Sequence, residues 1–198
     1  MATPQLEGDM STDNPTPNSA LWTPVLGRGV LAAIFALLPV FLTDLSPQFM
    51  GVWAGAFWVL YGFSALPILR RLAGPAVASR PAMGLLAILV CAPMLVAGAI
   101  IALTGDTVAF AIAGSISLIV SGASEAALGW LTRGAFPLAR DWLITGTVTA
   151  LAGVILPFVT SVGPRGLLGV SGGAMTIVAV VLILAALTFR FNSAKDVH

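Results

Sequence analysis

One histidine, one cysteine and one lysine occur among 198 residues, and each scarcity removes a class of chemistry. The histidine is His198, the last residue, so neither a histidine-based triad nor a histidine metal site can be assembled in a folded core. Cys91 has no second cysteine, which excludes a disulfide framework and a cysteine cluster for a metal and leaves its thiol a packing role. Lys195 lies near the C-terminus, so a serine–lysine catalyst lacks the buried lysine it needs. Charge of either sign is also sparse, at 9% of residues where soluble domains carry about a quarter. There is no phosphate loop ending in Gly-Lys-Ser or Gly-Lys-Thr and no dinucleotide fingerprint, and no two carboxylates share an apolar helix face. The chain therefore reads as non-enzymatic, with no cofactor and no metal.

Apolar sequence fills the space. Hydrophobic residues make up 58% of the chain and the mean hydropathy is +1.01. A hydrocarbon core about 30 Å thick needs roughly 20 helical residues. Six stretches meet that length: Leu26 to Leu45, Met50 to Leu69, Ala82 to Leu103, Thr107 to Leu131, Trp142 to Val162, and Gly166 to Phe189. None alternates with a period of two, so helices rather than barrel strands are expected. The predicted fold is an all-α integral membrane bundle of six helices.

Six crossings return both termini to one side. On that side fall Arg28, Arg70, Arg71, Arg80, Arg133, Arg140, Arg190 and Lys195, against Arg165 alone on the other. The positive-inside bias then makes both termini cytoplasmic. The basic rim is read as facing anionic lipid headgroups, not nucleic acid. Trp22, Trp130 and Trp142 fall near this boundary, as interfacial anchors do. Residues 1–21, with three prolines and three acidic side chains, read as a disordered cytoplasmic tail, and 192–198 as a short one.

The odd-numbered helices share a cationic residue, then a glycine, then a proline about ten residues on: Arg28, Gly29 and Pro39; Arg80, Gly84 and Pro93; Arg140, Gly146 and Pro157. The even helices share Gly62-Phe63-Ser64 against Gly122-Ala123-Ser124, with Gly173 in the glycine's place. These echoes imply three parallel-repeat helical hairpins, over about 26–72, 80–133 and 140–191. Pro39, Pro93 and Pro157 each remove a backbone donor, so kinks are expected there. Gly51 with Gly55, and Gly169 with Gly173, have the small-xxx-small spacing of close helix packing.

Glu125 is the one ionisable residue well inside a span. With Ser117, Ser121 and Ser124 it forms a polar stripe on one face of the fourth helix, which must turn toward protein or water. Two readings stand: a protonatable site, or a packing tie compensated by an arginine of a neighbouring repeat such as Arg28, Arg80 or Arg140. A second stripe, Asp141, Thr145 and Thr149, starts the fifth helix, with Asp141 expected to cap it.

The run Gly29 to Leu45, the helix carrying Gly62, and the start Arg140-Asp141-Trp142-Leu143 leading to Gly146 together resemble the HdeD family of bacterial acid-resistance membrane proteins, built from short repeated two-helix units. The resemblance covers nearly the whole chain after the polar N-terminal extension, which departs from it. It implies a protein of the bacterial inner membrane that supports acid or general envelope stress resistance, with no catalytic residues to carry over. Glycine-rich helix faces favour a homo-oligomer or a membrane-protein partner. Two alternatives accompany it: a small proton or solute transporter or channel using the Glu125 stripe, and an accessory subunit of a larger membrane complex.

Overall fold

The computed structural model describes residues 21–42, 45–72 and 81–195. The expected tail over residues 1–20, Arg80 and the last three residues lie outside that range. Six helices follow in order: α1 (Trp22–Phe41), α2 (Pro47–Leu72), α3 (Pro81–Thr104), α4 (Thr107–Leu131), α5 (Ala139–Ile155) and α6 (Pro164–Lys195), with a 3-10 segment, Leu156–Val162, continuing α5. There is no strand among the described residues. All six crossings, counting α5 with its 3-10 continuation, are long and apolar enough to span a bilayer, which makes this a multi-pass membrane protein.

The starts follow local chemistry. α2, α3 and α6 each begin on a proline, whose missing N–H is one that a helix start leaves unpaired anyway. Between α3 and α4, Gly105 turns at φ +58 and Asp106 accepts a hydrogen bond from the Ala109 N–H at 2.9 Å, so a two-residue link closes one helix and caps the next.

Apolar length alone misplaces some ends. α1 begins at Trp22 and stops at Phe41, about four residues before the expected start and end, because Pro24 is tolerated in a first turn and Leu42 is already extended. α6 runs to Lys195, so residues 192–195 of the expected tail are helical. Pro39 and Pro93 lie inside their helices, as does Pro67 of α2, which the repeat pattern passes over. At Pro157 the lost donor coincides with a change of winding, from α to 3-10 at Leu156.

Packing runs between the hairpins more than within them. The tightest pairings are α4 with α5, α1 with α6 and α2 with α3; the α3–α4 hairpin comes next, then α5–α6 with its 3-10 continuation, and α1–α2 is the loosest. The helices thus close into a ring, with α6 against α1. Half of the most apolar stretch of each even-numbered helix is buried, against a third of each odd one, and all three even helices touch one another. An inner triangle of α2, α4 and α6, flanked by α1, α3 and α5, follows.

Glycine sets the tight seams. A Cβ on Gly122 would meet the Ala150 nitrogen at 2.5 Å and Gly146 faces Gly122 and Ala126 in return; Gly55 and Gly98 oppose each other between α2 and α3. Gly51 and Gly55 therefore serve as the spacing predicts. Gly169 and Gly173 do not, since nothing lies within 4 Å of a Cβ at either; Gly172 faces Ala36 of α1 instead.

Candidate functional site

Arg28 lies six residues into α1 and Glu125 six residues before the end of α4. At about 1.5 Å per residue each is roughly 9 Å inside the same end of the bundle. Their side chains, 3% and 4% exposed, meet in a forked pair: Arg28 Nη2 donates to Glu125 Oε2 at 2.8 Å and Nη1 to Oε1 at 3.4 Å. Thr145 of α5 donates to Oε1 at 2.7 Å, closer than its alternative acceptor, the Asp141 carbonyl at 3.0 Å. Both carboxylate oxygens are thus occupied by charge-assisted or hydroxyl donors. The Arg28 guanidinium also lies over the Tyr61 ring, 4.4 Å from its centroid, and Tyr61 stacks on Phe57, which stacks on Phe35.

The cluster joins all three hairpins: Arg28 and Tyr61 come from the first, Glu125 from the second and Thr145 from the third. Of the two readings of Glu125, the geometry matches an ion pair with an arginine of a neighbouring repeat. Arg28 is accordingly not an interfacial side chain but an inward one. Its length lets it reach a partner on α4 while its stem packs against the core.

The rest of the α4 stripe is buried with Glu125. Ser117 donates to the Gly114 carbonyl at 3.0 Å, Ser124 is 5% exposed, and Ser121 Oγ has no partner among the described residues. Arg28 Nε and the Tyr61 hydroxyl are buried without a hydrogen-bond partner among the described residues as well. These three atoms are the polar capacity left over after the pair forms.

Three expected interfacial residues behave differently from one another. Arg140 is exposed. Trp142 is 1% exposed, its ring tilted against Phe136 at 5.1 Å, so it is a core residue and not a headgroup anchor; the anchor role fits Trp130, 61% exposed with Arg133 stacked 4.0 Å over it. Asp141 does not cap α5: the N-cap position is Leu138, with no side-chain bond, and Asp141 stands in the first turn. Helix α5 starts three residues earlier than its apolar run because Phe136 to Ala139 turn tightly into it.

Sequence reasoning missed Tyr61 and placed Thr145 in the α5 stripe without pairing it with Glu125. The only signal for Tyr61 is that it is the chain's single tyrosine, set in an otherwise apolar helix. Thr145 is four residues from Thr149, and these two, unlike half-buried Asp141, lie on the buried face of α5 from which Thr145 reaches Glu125. Among the described residues no three His, Cys, Asp or Glu side chains converge as a metal site. Comparison with protein-family models, with curated proteins and with solved structures finds no match.

Proposed function

We propose that this chain is a non-enzymatic, HdeD-like protein of the bacterial inner membrane, with both termini cytoplasmic, that supports acid or envelope stress resistance by acting as a fixed, self-closed bundle that stabilises the membrane or a partner complex. The observation that carries this reading is the Arg28–Glu125–Thr145 cluster. A carrier must exchange what its acidic side chain holds during each cycle. Here the carboxylate is held by two residues from two other hairpins, the arrangement of a tie. The orientation rests on the arginine-rich end of the bundle, where Arg70, Arg71, Arg133, Arg140 and Arg190 gather.

The conduit reading has one observation in its favour: Ser121 Oγ, the Tyr61 hydroxyl and Arg28 Nε are buried and have no hydrogen-bond partner among the described residues. The two are separated by reconstitution in liposomes under a pH gradient, together with survival of a deletion strain in strong external acid. The tie reading expects rescue by the intact gene and no Glu125-dependent proton flux. Flux that vanishes in a folded Glu125→Gln variant would establish the conduit instead. Absence of any acid sensitivity on deletion would remove the stress role and leave the bundle alone.

A further inference from the structure

At the arginine-rich end a groove of about 410 Å³ lies between α5 and α6. Its mouth carries Arg140, Asp141 and Thr188, and its walls below are Ile144, Val181 and Leu184. From Thr188 to Val181 the α6 wall descends seven residues, or about 10 Å at 1.5 Å per residue. The mouth stands at the level of Arg133, Arg190 and exposed Trp130, the level a headgroup occupies. Asp141 does not cap its helix and makes no side-chain hydrogen bond among the described residues; in the first turn its half-buried carboxylate favours the positive end of α5 and keeps its hydrogen-bonding capacity free, beside the exposed Arg140 guanidinium.

We propose that this groove holds one phospholipid whose headgroup carries both a phosphate and a primary ammonium, as phosphatidylethanolamine does. The phosphate lies on Arg140, the ammonium on Asp141, and an acyl chain in the trough below. The two charges set side by side argue for this occupant over an anionic one, since Asp141 repels a headgroup that is negative throughout. They also argue against a choline headgroup, whose ammonium has no N–H to donate. The proposal rests on the membrane fold and not on the stress role.

The test is native mass spectrometry of the detergent-solubilised protein with phosphatidylethanolamine, phosphatidylcholine and phosphatidylglycerol of identical acyl chains. Phosphatidylethanolamine is expected to be retained about tenfold over phosphatidylcholine, the scale of one charge-assisted hydrogen bond. Asp141→Asn should abolish that preference and raise phosphatidylglycerol, and Arg140→Gln should weaken all three. Ile144→Trp, at a lipid-exposed wall position, should block the trough with both charges intact. Arg133→Gln, which removes a charge at the same end outside the groove, should leave the preference unchanged. Equal retention of the two zwitterionic lipids by the intact protein, a preference that survives Asp141→Asn, or an equal loss in Arg133→Gln would each overturn the site. Displacement of bound lipid by soluble phosphoethanolamine at equal concentration would overturn the lipid in favour of a free headgroup compound.

Discussion

At the residue scale, Glu125 is held by partners that sequence could only name as a class. Its depth and isolation are legible, because a carboxylate among Ser117, Ser121 and Ser124 in an apolar helix cannot face lipid. Which arginine answers it is not legible, because Arg28 is 97 positions away and its inward turn depends on how α1 seats against the bundle. Removing one member leaves the other buried without compensation, so Glu125→Gln should lower unfolding free energy by about 3 kcal/mol. The double variant Arg28→Met with Glu125→Gln should recover most of that loss. Chemical unfolding in mixed micelles measures both, and a double variant less stable than the single would contradict the tie.

At the scale of elements, the six spans could be read because length and hydropathy are set by the bilayer, whereas the faces they present could not. Small-xxx-small spacing occurs at Gly51 and Gly55 and again at Gly169 and Gly173, yet only the first pair meets a neighbour. The difference lies in where each helix rotates, which depends on the partners and not on the spacing. Gly146→Ala should therefore be destabilising by about 2 kcal/mol, since its Cβ would press on backbone atoms of Ala126 and Gly122 that cannot move aside. Gly173→Ala should be neutral or stabilising by about 0.5 kcal/mol, from the reduced freedom of the unfolded chain. The same unfolding assay reads the contrast, and equal losses at both positions would show that the α4–α5 seam is no tighter than the outer face of α6.

At the scale of the whole molecule, ring closure makes the first and last helices neighbours. The sequence echoes suggest hairpins but give no reason for the strongest seams to lie between them, an arrangement decided by which glycines meet. Cysteines placed at Ala36 and Gly172, in a Cys91→Ala background, should oxidise within one chain, because a Cβ at 172 would stand 3.7 Å from the Ala36 Cα. A faster-migrating monomer on a non-reducing gel is expected; dimers alone would mean that α1 and α6 close between chains. The Arg28–Glu125 pair also has a consequence in time. During synthesis Arg28 emerges 97 residues before its counter-charge, an interval of about 5 to 20 s at 5–20 residues per second. For that interval the first hairpin carries an unmatched cation near its end, which its long side chain can hold at the water interface until the fourth helix arrives. The pair that locks the finished bundle can therefore close only once the second hairpin has been made.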